Sequence, residues 1–367
     1  VELQVGQLHL LGADFADTAL TLAPVAGGER LQLEGPALAG VLTLPNARGA
    51  PIVGRFSRLD WRPPALAWPG AAATATPTAA AAPDPARIPP LQIDVADLRV
   101  GGLAFGGARL RTQPSADGLR LEELSTHGAG QRLQASGHWS GHAGAAQTQL
   151  SARLDSDDVG RLLGALGLGG QLAGGHGRLQ LDAGWHGGPQ ALTAAGLQAQ
   201  LAVDVRDGRL LQVEPGAGRV LGLLGIAQLP RRLTLDFRDF FDKGFAFDRL
   251  QGSARVGGGQ VQTDDLDIRG PAAEIRVRGS ADLVGQRLDQ TVDVYPHSGG
   301  VLTAVGALAG GPVGAAVGAV ANAVLDRPMQ DLGARSYRIR GAWQAPQVEA
   351  QARPAPLPRA RERPAAD

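Results

Sequence analysis

The sequence predicts a mainly β protein: a long, curled antiparallel sheet, groove-like and quasi-repetitive, with a few short helices and an apolar helical hairpin near its C-terminal end. Three observations carry this. Apolar residues recur with period two along most of the chain, turn residues fall about every ten to twelve positions, and one strand-pair motif returns several times.

The alternation is clearest where Leu197, Ala199, Leu201, Val203 and Val205 interleave with Gln198, Gln200, Ala202, Asp204 and Arg206, with Asp207-Gly208 read as the hairpin turn that follows. The same period runs through Val1-Leu3-Val5, Leu91-Ile93-Val95, Leu179-Leu181-Ala183-Trp185, Leu233-Leu235-Phe237 and Ile275-Val277. Gly257-Gly258-Gly259 and Gly270-Pro271 supply turns, and Asp264-Asp265 reads as a turn into the Leu266-Ile268 strand. One face of such a meander is apolar and the other polar.

Element by element, residues 1–61 read as strand repeats. Residues 62–90 hold 8 Pro and 11 Ala, too little apolar bulk for a core, and predict a disordered linker or loop. Strands resume over 91–352. Within them 156–168 predicts a short helix, capped by Ser156 or Asp157, with Val159, Leu162, Leu163 and Leu166 on one face; 216–229 predicts a second. Residues 353–367 predict a fraying tail.

The repeat aligns RLQASGHWSG at 132–141 with RLQLDAGWHG at 178–187, Trp139 matching Trp185. IRGAWQAP at 339–346 repeats its ending, and RLQLEG at 30–35 and IRVRGSADL at 275–283 are looser copies. Reuse of one unit along a chain predicts an elongated sheet. Roughly 20 strands at about 4.8 Å would span roughly 100 Å, and a twisted open sheet beyond ~10 strands must curl or split. Curled with its apolar face inward, it is a trough.

Residues 298–325 carry no charge, yet Pro312 interrupts them and seven of the 28 are Gly. Two short helices meeting near Gly311-Pro312 fit better than one membrane-spanning helix. The second carries Val313, Val317, Val320 and Val324 along one face, and two readings stand: a buried cap on the sheet or a membrane-contacting hairpin.

Composition narrows function. The 367 residues balance 35 basic against 35 acidic side chains, which removes the electrostatic footprint of nucleic-acid binding. Absence of cysteine excludes disulfides, thiolate catalysis and Cys-ligated zinc. The seven His are scattered, with no acidic partner at metal-ligand spacing near His138 and His142, and no phosphate loop or nucleophile elbow occurs. No enzyme and no cofactor are expected. Because the chain opens at Val1, already in strand-like alternation, it reads as a fragment whose targeting segment is missing.

Residues 229–296 then carry a resemblance. Leu229-Pro230-Arg231-Arg232-Leu233, Asp236-Phe237-x-Asp239, Lys243-Gly244-Phe245-x-Phe247-Asp248, Gly252 and Gly279-x-x-Asp282-Leu283 resemble the C-terminal region of the YhdP family in the AsmA-like superfamily. Leu172-x-Gly174-Gly175-x-Gly177-x-Leu179, Trp185-x-Gly187 and Pro312-Val313-Gly314-Ala315-Ala316 extend it to about 155–350. The resemblance implies a protein of the Gram-negative periplasm, anchored in the inner membrane through a missing N-terminal segment. It also implies a β-groove carrying phospholipid to the outer membrane, this chain being the outer-membrane-proximal part and monomeric. TamB-type relatives suggest the alternative of a scaffold for outer-membrane protein assembly.

On this reading Leu197, Leu201, Val203, Leu233, Leu235, Phe237, Phe245, Phe247, Ile275 and Val277 face acyl chains, and Val313, Val317, Val320 and Val324 face a membrane. Each acyl CH₂ exposed to water costs about 0.8 kcal/mol, so a 16-carbon chain costs roughly 12 kcal/mol outside such a trough.

Overall fold

A computed structural model describes residues 1–10, 13–62, 84–141, 145–166, 172–211, 244–297, 334–343 and 345–351. They form one open 18-stranded sheet. The first five strands are β1 (Glu2–Leu10), β2 (Ala13–Val25), β3 (Gly28–Glu34), β4 (Leu38–Pro45) and β5 (Ile52–Trp61). Next come β6 (Leu91–Val100), β7 (Leu103–Ser115), β8 (Gly118–His127), β9 (Gln131–Ser140), β10 (Gln147–Ser156) and β11 (Leu172–His186). The last are β12 (Gln198–Leu210), β13 (Phe245–Gly257), β14 (Gln260–Arg269), β15 (Ala273–Asp282), β16 (Arg287–Pro296), β17 (Arg335–Ala342) and β18 (Gln347–Gln351).

Each strand pairs with its neighbours in sequence, antiparallel throughout except at β5–β6. That pair is parallel, Ile52 opposite Leu91 and Trp61 opposite Val100. Parallel neighbours need a long crossover, which the Pro/Ala segment provides. Its last residues are folded, against the expectation of disorder across 62–90: Asp84 accepts a hydrogen bond from the Ala86 amide over a 3-10 turn at Pro85–Arg87, and the Ile52 amide donates to the Pro90 carbonyl.

The alternating directions sort the connectors by edge. Along the first rim, where β6 ends and β7 begins, the chain leaves and rejoins the sheet around 157–171, 211–244 and 297–334, and the crossover departs there too. Along the second rim the connections are shorter, such as the two-residue turn of Gly258 and Gly259, both at positive φ as a tight hairpin requires.

Two predicted turns lie inside strands instead, the first without a change of register and the second at a bulge. Asp207 takes φ +53° inside β12, which runs on through Gly208 to Leu210. Asp264 and Asp265 lie inside β14, where the register slips against both neighbours. Asp and Gly favour turns because they tolerate unusual backbone conformations, and a bulge draws on the same tolerance.

Helix α1 (Val159–Ala165) lies within the predicted 156–168. Its cap is Asp158, whose carboxylate accepts from the Arg161 amide at 2.9 Å, rather than Ser156 or Asp157. Val159 and Leu162 are buried, but Leu166, placed on the apolar face, is 37% exposed. Leu162 packs among Val100, Phe105, Leu133, Leu154 and Leu179, so α1 lies against the inner face beside the first rim. The expected helices at 216–229 and 301–325 fall outside the described residues, and among the described helices none is long and apolar enough to cross a membrane.

The repeat has a structural meaning. Its two best copies are β9 and β11, which run in the same direction on either side of β10. Leu154 stands opposite both Leu133 and Leu179, and Thr148 opposite both Trp139 and Trp185.

Candidate lipid groove

Register converts the period-two pattern into rows that cross the sheet. Residues directly opposite share a face, so one row can be followed from strand to strand. The row Leu22, Leu31, Leu42, Gly54, Ile93, Leu110, Leu124, Ala135, Ala152, Leu181, Leu201 and Ala254 crosses twelve strands, β2 to β13, without a polar side chain. At about 4.8 Å per strand it extends about 53 Å. Every member except Gly54 is half-buried, so the row is an accessible apolar floor. At Gly54 an added Cβ would lie 2.5 Å from Ile93 Cδ1 and 3.0 Å from Leu42 Cδ2, so its neighbours already close over it.

The floor is bracketed. Toward the first rim the next row, Leu133, Leu154, Leu179 and Val203, is covered in part by α1. Near the second rim Trp139 and Trp185 stand as buried posts on either side of Thr148. The Trp185 indole N–H donates to the Gly188 carbonyl at 2.9 Å, whereas the enclosed Trp139 Nε1 has no partner among the described residues.

The opposite face is built from charge. Arg132, Asp155, Arg178, Asp204, Gln251, Asp267, Arg276, Asp293 and Ser336 form one in-register row from β9 to β17. Arg178 Nε donates to Asp155 at 2.7 Å, and Arg249 clamps Asp204 through two hydrogen bonds of 3.0 and 2.8 Å. The Arg249 hydrogen bond holds the Asp204 carboxyl below its ordinary range despite some desolvation. At Asp94 desolvation acts upward, but hydrogen bonds from Arg111 and Arg109 outweigh it and lower the pKa. Asp267 goes the other way: burial raises it, with Arg276 offsetting only part. Exposed pairs of this kind contribute little each, but they keep one face wetted while the other stays apolar.

His138 does have an acidic neighbour that sequence spacing missed. Its Nε2 lies 3.4 Å from Asp117 and 3.2 Å from Ser115 Oγ, while Ser115 donates to Asp117. Both acid and hydroxyl meet the same ring nitrogen, so the trio lacks the acid–base–nucleophile order of a hydrolase triad. Among the described residues no group of three or more acidic or His side chains could hold a metal.

The structure separates the predicted acyl-facing residues. Leu201 lies on the floor, Val203 in the row beside it, and Leu197 is half-buried just before β12. Phe245, Phe247, Ile275 and Val277 share the inner face but lie within a packed core. Leu233, Leu235, Phe237, Val313, Val317, Val320 and Val324 lie outside the described residues. The predicted acyl-facing set omitted Leu31, Leu42, Leu110 and Leu181; period two marks Leu31 and Leu181, whereas nothing local distinguishes the alanines.

An open sheet with one continuous apolar face and one ion-paired face defines a grooved β protein. The chain belongs to the YhdP family: the family model described as "YhdP protein" matches residues 1–348. It is 26% identical over 355 residues to the intermembrane phospholipid transporter YhdP of Escherichia coli (strain K12), covering 95% of this chain and 28% of that protein. The chain thus spans under a third of the curated relative's length. No solved structure matches it.

Proposed function

We propose that this chain is a segment of a phospholipid conduit between the inner and outer membranes of a Gram-negative envelope, lying in the periplasm at the outer-membrane end. The single observation that carries the reading is the uninterrupted apolar row from Leu22 to Ala254. Its accessible floor offers acyl chains continuous contact, and the ion-paired back keeps the sheet soluble. Transfer then requires no covalent step. Headgroups stay in water at the groove mouth while the acyl chains slide along the floor, avoiding most of the roughly 12 kcal/mol that a 16-carbon chain costs when hydrated. Inner-membrane anchoring belongs to the longer protein, and the face of Val313, Val317, Val320 and Val324 is proposed to touch the outer membrane. The chain is proposed to act as a monomer.

Photocrosslinking tests the reading. Crosslinkers at Leu181 and Leu201 should capture phospholipid, whereas those at Gln180 and Gln200 on the opposite parity should not. Equal capture at both parities overturns it.

A second reading, a scaffold for outer-membrane proteins, draws on the edge strand β18, which among the described residues pairs only with β17 and could accept an added strand. Mass spectrometry after detergent-free purification separates the two: the conduit retains phospholipid and the scaffold does not.

A further inference from the structure

The floor is accessible only as far as β13. Beyond it most inner-face residues are enclosed: Ile268, Ile275, Val277, Val292 and Ile339 are all 0% exposed, while Val261, toward the second rim, is half-buried. An acyl chain can lie against a half-buried leucine, but reaching these side chains means prising apart a core packed at crystal-like density.

Toward the first rim Val205, Phe245, Phe247 and Leu250 are already buried, but along the floor row itself the change falls at one joint. Between β13 and β14 the register slips at Asp264–Asp265, breaking the row beyond Ala254. Gly252 approaches Leu266 so closely that an added Cβ would lie 2.7 Å from its Cα. Polar bonds fix the joint: Asp265 Oδ1 accepts from the Ser253 amide at 2.8 Å, Asp265 Oδ2 accepts from Ser253 Oγ at 2.9 Å, and Thr263 Oγ1 donates to the Ser253 carbonyl at 2.7 Å. Bulges commonly end or re-aim a run of pairing.

We propose that the acyl-binding stretch of this chain ends at β13, and that β14 to β17 form an end wall rather than a continuation of the groove. Its ligand is the acyl chain of a phospholipid, so the inference rests on the conduit reading. Lipid moving toward the C-terminal end therefore leaves the sheet floor at the β13–β14 joint.

The test uses the unmodified chain. A phosphatidylethanolamine carrying a diazirine in its acyl chain is loaded and photolysed, and the labelled residues are located by peptide mass spectrometry. Expected is labelling of Leu31, Leu181 and Leu201 about tenfold or more above Val277, Val292 and Ile339, a ratio equivalent to about 1.4 kcal/mol of preference. Comparable labelling on both sides of the joint overturns the end wall and leaves the conduit standing. Labelling no stronger on the floor than at Gln180 and Gln200 overturns the conduit, and the end wall with it.

Discussion

Trp139 and Trp185 both stand in register with Thr148, one from each flank of β10, yet among the described residues only the Trp185 indole N–H finds a partner, the Gly188 carbonyl. The two posts therefore respond differently to the same substitution. Trp185→Phe strips a buried bond and leaves the Gly188 carbonyl short of a donor, costing about 1–3 kcal/mol. Trp139→Phe removes an N–H that has no partner and should be neutral or slightly stabilising. Denaturant melts of the two variants check the sign.

Leu162 is the anchor of α1, fully buried against both the β6–β7 hairpin and β9 to β11. Leu162→Ala should lower stability by about 2–5 kcal/mol through the cavity it leaves. Amide exchange should rise first in α1, which is then held to the sheet chiefly through Val159 and the partly buried Leu163.

Gly54 is the one enclosed member of the floor. Gly54→Leu forces its side chain onto Ile93 and Leu42 and should cost about 1–3 kcal/mol by overpacking. Phospholipid transfer in vitro should fall with it, while a comparable enlargement on the outer face, Ala202→Leu, leaves transfer unchanged.

Acid should loosen the ion-paired face. Asp94 and Asp204 have pKa values below the ordinary 3.8, so their contribution is complete above that value and is lost as pH falls through the lowered ones. Melting temperature should therefore drop below about pH 4, and the Asp94→Asn/Asp204→Asn double variant should flatten that drop. Asp267, raised by burial, has the opposite sign: protonation relieves it as pH falls through its raised pKa, so Asp267→Asn should steepen the acid loss relative to wild type.

The valine face at 313–324 separates cap from membrane contact. If the valines contact a membrane as proposed, Val317→Asp with Val320→Asp should leave melting within a few degrees of wild type, because exposed positions contribute little to a fold, and should abolish liposome binding. Collapse of the melt favours a buried cap instead.

Sequence periodicity reached the architecture because side-chain alternation is fixed by strand geometry, and it put Leu201 and Val203 together on the apolar face, where the structure also has them. It could not see that β5 and β6 run the same way, since alternation carries no direction; only the length of the Pro/Ala segment hints at a crossover. It assigned Ile275 and Val277 to acyl chains because period two identifies a face without saying what covers it. Asp207-Gly208 and Asp264-Asp265 misled for a related reason: the residues that end strands also kink them.

The matched copies in β9 and β11 bear on how such a sheet changes length. Each copy needs a return strand to bring the chain back to the same edge, so the smallest increment that keeps β9 and β11 interchangeable is a hairpin, about 10 Å of sheet. Loss of a single strand would swap the edges on which every later connector emerges. The molecule is a ruler graduated in hairpins: adding or removing whole graduations would leave the floor rejoined in phase at the splice.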